Sequence, residues 1–217
     1  MLLRHGQTQW NVEGRFQGHS DIPLDAMGEQ QAATAATVLA ELRPDAIVSS
    51  DLVRALATAA PLAAATGRSV ELDERLRETH GGGWEGMRDA DIGAEHADDW
   101  WAWRHGADIR AGLTGESRTM VAQRATTAIT EHADRLEYGQ TLVVVTHGGV
   151  ANAAIGSLLN LPVTHWQTLG GLGNCQWAIL RAWVTSRQDS TDQPLPAAWR
   201  LASYGVGPRV AAERIRG

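Results

Sequence analysis

The amino-acid sequence predicts an α/β protein, a three-layer α/β/α sandwich around a mostly parallel sheet. Short β-branched runs at residues 46–48, 141–145 and 177–180 alternate with long alanine-rich segments that suit helices. Two of these runs pass through a short polar turn into a helical segment, in VSSDLVRALATA and in LVVVTHGGV. Strands alternating with helices in this way place helices on both faces of a sheet whose strands mostly share one direction.

The first element is LLRHGQTQWN, whose apolar start ends at Arg4, His5 and Gly6, so a histidine stands at the C-terminal end of a strand. Only three residues precede Arg4, so the expectation is either that the true start lies upstream of Met1 or that this strand is short and weakly paired. Helices are predicted over 28–42, 52–65 and 117–136, with Pro44, Gly67 and Gly139 as stop signals and Ser117 as the N-cap of the last. Arg54 falls on the first turn of the second of these. RLRETHGGGWEG places Glu78 in a loop, between an arginine-rich run and a triple glycine. DDWWAWRHG, at 98–106, packs three tryptophans into four positions and is expected to be an insertion over one sheet edge, able to act as a lid. No repeat, linker or low-complexity run interrupts the chain, so a single domain over residues 1–217 is expected, burying about 70% of the surface exposed when unfolded.

Composition removes several functions. Hydrophobic residues at 43% and charged residues at 20% match an ordinary globular protein and argue against a disordered or fibrous chain. The apolar runs are much shorter than the roughly 20 residues that cross a bilayer, and no signal-peptide pattern opens the chain, so a cytoplasmic protein without membrane contact is expected. All 19 basic side chains are arginine, which excludes a P-loop lysine, a pyridoxal Schiff base and a lysine base. The net charge of -6 disfavours nucleic acid as a partner, so an anionic substrate would need a local arginine pocket. The single cysteine, Cys175, is read as a small packing residue.

Open α/β sheets bind ligands beyond the carboxyl ends of their strands, which is where His5 and His147 stand. One strand-end histidine alone is most often a hydrogen-bonded structural residue. Two His-Gly elements, one beside Arg4 and one opening a helix whose N-terminus favours anions, point instead to a shared site. Arg54 can offer phosphate a planar donor fork. Glu78 can serve a leaving alcohol as general acid, its alternative being a loop carboxylate salt-bridged to Arg75 or Arg77. Trp84, Trp101 and Trp177 can stack a sugar, although core packing is the expectation for each.

Over nearly its whole length, and through these motifs in order, the sequence resembles the histidine phosphatase superfamily, also called phosphoglycerate mutase-like. The resemblance implies that His5 is the phosphorylated nucleophile and that Arg4, Arg54 and His147 form the phosphate pocket. Asn11 in QTQWN and Gln17 in GRFQG match further phosphate contacts, Glu78 matches the acid that protonates the leaving group, and His80 is taken as a substrate contact. No cofactor or metal is implied, because arginine and imidazolium supply the positive charge. The partner is a phosphorylated small molecule, and a homodimer is the assembly to expect.

Within the family, Glu78-Thr79-His80, SSDLVRA and LGGLGNCQW look like the actinobacterial glucosyl-3-phosphoglycerate phosphatases. Selectivity is accordingly expected from Thr79, His80 and the loop at 169–174. A broad-specificity acid-type phosphatase and a cofactor-dependent phosphoglycerate mutase are the alternatives. THGGGWEG argues against the mutase, in which Arg-x-Tyr-Gly usually follows the glutamate, and a non-catalytic phosphate-binding module would usually have lost His5 or Glu78. Two departures from the family pattern are Gln7, where many relatives have glutamate, and Asp25, where threonine is usual.

Overall fold

In the computed structural model, which describes residues 1–183 and 198–208, six strands form one sheet. They are β1 (Leu2–Arg4), β2 (Ala46–Ser49), β3 (Val70–Leu72), β4 (Leu142–Thr146), β5 (Trp177–Trp183) and β6 (Ala198–Val206), in the order β3-β2-β4-β1-β5-β6. The first four in that order are parallel, as expected. β5 runs antiparallel to β1, and β6 antiparallel to β5, so the C-terminal strands add an antiparallel edge. The helices are α1 (Gln9–Glu13), α2 (Ala26–Ala40), α3 (Val53–Thr66), α4 (Asp89–Glu95), α5 (Ala97–Arg104), α6 (Arg118–Ala133) and α7 (Gly148–Leu158). Among the described residues no helix is long and apolar enough to cross a membrane.

Alternation along the strands builds the layers, because successive side chains of a strand point to opposite faces. Leu2, Val48, Leu142 and Val144 pack with the buried faces of α6 and α7. Leu3, Ile47, Val143 and Val145 pack with α2 and α3, whose buried apolar residues are Ala32, Ala35, Ala36, Ala55 and Ala59 together with Leu39 and Leu62. Leucine-poor, alanine-rich helices can lie close to the sheet, and both faces of β4 are thereby buried.

Local signals set most boundaries. Gly67 ends α3 in the left-handed region at φ 68°, and Ser117 caps α6. Two stop signals act differently from expectation: α2 ends at Ala40, with Arg43 at φ 49°, before Pro44 is reached, and α6 ends at Ala133, well before Gly139. β1 also departs from expectation. It has three residues, but it pairs with β4 on one side and β5 on the other, and the carbonyl of Met1 accepts from Val144 N–H at 2.8 Å. Pairing along both edges and burial of Leu2 and Leu3 make this short strand central rather than weak.

α2 starts two residues earlier than predicted because Asp25 caps it, accepting from Gly28 N–H at 2.8 Å. Asp25 also accepts from Gln7 Nε2 at 3.0 Å, so the two family departures form one pair. A glutamate at position 7 would set carboxylate against carboxylate there. Just beside this pair, Gly6 and Gly28 let β1's exit pass the start of α2: a Cβ on Gly6 would stand 2.5 Å from the Gly28 carbonyl oxygen.

The tryptophan-rich segment forms α5 and belongs to a separate small core with Trp84, Ile92, Trp103 and Ala111, rather than lying on a sheet edge. Trp84 meets Trp100 and Trp103 edge-on at centroid distances of 5.5 and 5.8 Å. Trp84 and Trp177 are core residues, as expected; Trp101 is not, being 65% exposed and stacked on His105.

Candidate active site

Three strand ends converge on one side of the sheet. β1 leads into His5, β4 into His147, and β2 into Ser50 and then Arg54 on the first turn of α3. A cavity of about 240 Å³ opens there, and Arg4, His5, Asn11, Gln17, Arg54 and Glu78 all line it. His147 sits directly behind, its ring centroid 5.1 Å from that of His5. Seven of the residues expected from sequence thus come together. His80 lies outside the cavity lining, half-exposed and packed on His19 at 5.1 Å.

His5 is buried, with its backbone N–H donating to Thr146 and its carbonyl accepting from Asn174 Nδ2 at 3.1 Å. Its Nδ1 is 2.6 Å from the Gly6 carbonyl oxygen. A carbonyl can only accept, so Nδ1 carries the proton and Nε2 keeps a lone pair. Burial, reinforced by the charges of Arg4 and Arg54, holds the imidazole well below the usual histidine range. His5 is therefore a neutral imidazole whose Nε2 lone pair is held in a fixed direction beside two cations.

Arg54 is fully buried and held flat by backbone carbonyls, donating to Ser20 and Gly18 at 2.8 Å each, with Nε left without a partner. Arg4 donates from Nη1 to the Leu172 carbonyl at 2.6 Å. The carboxamide oxygen of Asn11 is taken up by Thr8 and Asn174, so its amide nitrogen is what it can offer a ligand. Leu172 and Asn174 belong to the loop at 169–174, none of which lines the cavity. That loop instead holds Arg4, His5 and Asn11 in place.

Glu78 is not salt-bridged to either neighbouring arginine, since Arg75 pairs with Asp73 and Glu131, and Arg77 with Asp51. Its carboxylate accepts from Thr79 N–H at 2.8 Å and Gly149 N–H at 3.2 Å. A Cβ on Gly149 would stand 2.6 Å from Glu78 Oε1 and 2.9 Å from Thr79 Oγ1, so a larger residue there would push the Glu78 carboxylate out of this position. The Glu78 carbonyl is fixed from behind by Arg124 Nη2 at 3.0 Å and His19 Nε2 at 2.8 Å.

His147 differs from its expected state. Nε2 is 2.9 Å from Ser50 Oγ, and Nδ1 is buried without a partner. Burial, then Arg54 and His5, press its pKa well below the usual value, so the empty site holds a neutral imidazole rather than the imidazolium expected from sequence. A phosphoryl dianion would oppose that pressure. Both depressed histidines also make stability depend on pH. Unfolded histidines titrate near about 6.5; stability is fully present above that value and is lost as pH falls towards the lower folded-state values, where the unfolded chain binds more protons. The melting temperature should therefore decline between pH 7 and pH 5, and a flat profile would contradict the burial of two neutral imidazoles.

Sequence reasoning missed the outer wall: Arg15, Phe16, Asp89, Trp103 and Arg118 also line the cavity. None of them lies in a strand-end motif. Ser50 was more accessible, since it follows β2 directly in VSSD.

A model of the histidine phosphatase superfamily (branch 1) matches residues 1–188. The chain belongs to the histidine phosphatase superfamily. It is a phosphatase enzyme with the expected phosphoglycerate mutase-like fold. It is 40% identical over 217 residues to the glucosyl-3-phosphoglycerate phosphatase of Mycolicibacterium vanbaalenii, covering 97% of this chain and 96% of that one. The probable phosphoglycerate mutase GpmB of Escherichia coli is 38% identical over 162 residues, 74% of each chain. Among solved structures, mycobacterial glucosyl-3-phosphoglycerate phosphatase complexed with VO3 aligns with a TM-score of 0.84 at 41% identity, covering 95% of this chain and 98% of that one.

Proposed function

We propose that this histidine phosphatase hydrolyses glucosyl-3-phosphoglycerate through a phosphohistidine on His5. The observation that carries the chemistry is the oriented, neutral His5, whose Nε2 keeps its lone pair in a cavity also lined by Arg4, Arg54 and Glu78. Nε2 attacks phosphorus in line, forming the P–N bond as the ester P–O bond breaks, and the departing oxygen takes a proton from Glu78. The Arg4 and Arg54 guanidiniums, with Asn11, Gln17 and His147, receive the charge on the equatorial oxygens. Glu78, now a carboxylate, takes a proton from water as that water attacks phosphorus; the P–N bond breaks, phosphate leaves, and His5 returns to its neutral form.

Likeness to relatives and the walls of the cavity support glucosylglycerate as the leaving group. Relatives named for glucosyl-3-phosphoglycerate match 38 to 40% of positions over 97 to 98% of the chain, whereas the mutase match covers 74%. Beyond the phosphate clamp the cavity is walled by aromatic and charged groups, and binding energy from such remote contacts can raise the rate of the chemical step. kcat/KM for glucosyl-3-phosphoglycerate should exceed that for 3-phosphoglycerate by at least about tenfold, roughly 1.4 kcal/mol of transition-state discrimination. A smaller ratio would leave a broad-specificity phosphatase, and interconversion of 2- and 3-phosphoglycerate faster than phosphate release would identify a mutase.

A further inference from the structure

We propose that Arg118 forms a second anion subsite in this cavity and takes the carboxylate of the glycerate unit. The proposal rests on the phosphate-clamp reading above. Arg118 reaches the cavity from the first turn of α6 rather than from a strand end, and is only 9% exposed. Its guanidinium lies over the Trp103 ring, 4.2 Å from the centroid, and Nη2 donates to the Trp103 carbonyl at 2.6 Å. With the Gln167 amide turned to satisfy its hydrogen bonds, the amide oxygen accepts from Nη2 at 2.6 Å and Nη1 at 2.9 Å. Nε remains buried without a partner.

All these acceptors are neutral. Among the described residues no carboxylate oxygen comes within 4.0 Å of Arg118, and Asp108 is the one acidic group whose field supports its charge. The cavity's other outer arginine is committed, since Arg15 pairs with Glu13 at 2.5 Å. Burial lowers the Arg118 pKa to about 10, and a cation on the first turn of a helix also sits at the unfavourable end of the helix dipole. A buried charge without a counterion is costly to keep. A carboxylate entering the cavity would supply the missing counterion, and the donors left for it are the second hydrogen of Nη1 and the unpartnered Nε. The rigid stack on Trp103 holds the guanidinium in place before substrate arrives.

3-Phosphoglycerate and glycerol 3-phosphate isolate this contact, because they differ in a carboxylate against a hydroxymethyl group. Wild-type kcat/KM should favour 3-phosphoglycerate by at least about tenfold, and Arg118→Gln should bring the ratio close to one, chiefly through the acid substrate. No preference in the wild type, or an undiminished one in Arg118→Gln, overturns the proposal. If Arg118→Gln fails to fold, Arg118→Lys decides: it keeps the charge but loses the guanidinium held by Trp103 and Gln167, and should cut the preference at least about threefold, an unchanged ratio counting against the subsite. Neither substrate carries glucose, so a failed preference for the glucosylated ester would sink the glucosyl reading without touching this result.

Discussion

His5→Ala is expected to lower turnover by on the order of 10³-fold or more and to abolish a base-stable phosphoenzyme. The effect should be this large because His5 is the one imidazole among the residues that line the cavity. His147 is close, at 5.1 Å between centroids, but its Nε2 is engaged by Ser50 and the residue lies behind the cavity lining. The measurement is direct: incubate with a phosphomonoester labelled in the phosphoryl group, quench in base, which preserves phosphohistidine, and count label on the protein. Label retained by the His5→Ala protein would remove His5 from its role.

Glu78→Gln should slow hydrolysis of alkyl phosphates by about 10²- to 10⁴-fold, the usual weight of general acid catalysis, and p-nitrophenyl phosphate far less. Nitrophenolate leaves without a proton, whereas a sugar-acid alkoxide does not. The substitution carries a structural cost that must be separated from the chemistry. Both carboxylate oxygens accept backbone N–H groups, from Thr79 and Gly149, and the amide nitrogen of glutamine would face one of those donors. A melting curve therefore accompanies the assay. Equal losses on both substrates in a folded variant would mean that Glu78 does not protonate the leaving group.

Much of this site could be read along the chain. His5, His147 and Arg54 each follow a β-branched run and precede a turn or helix, and such strand–turn–helix patterns are local, so they locate a residue at a strand end before any tertiary contact is known. Glu78 was legible as a loop carboxylate beside glycines, yet its partners were not. Its salt-bridging neighbours in sequence, Arg75 and Arg77, turn to Asp73, Glu131 and Asp51, and a backbone N–H 71 residues away takes their place.

By itself the sequence determined the α/β layering, the parallel core of the sheet and the strand-end placement of His5, His147 and Arg54, because propensity, periodicity and strand-end motifs are properties of short stretches. Only the tertiary structure decided that β5 runs antiparallel and that β1, at three residues, is stabilised from both sides. The same holds for the state of the groups: both site imidazoles are neutral because folding desolvates them and brings Arg54 in from another strand end, beside Arg4 in the case of His5, whose tautomer is set by the Gly6 carbonyl. Arg118 on Trp103 is of the same kind, a pair 15 residues apart in the chain whose meaning lies in the cavity they share. Desolvation and counterion supply depend on the summed packing of distant segments, and no window of neighbouring residues contains that sum.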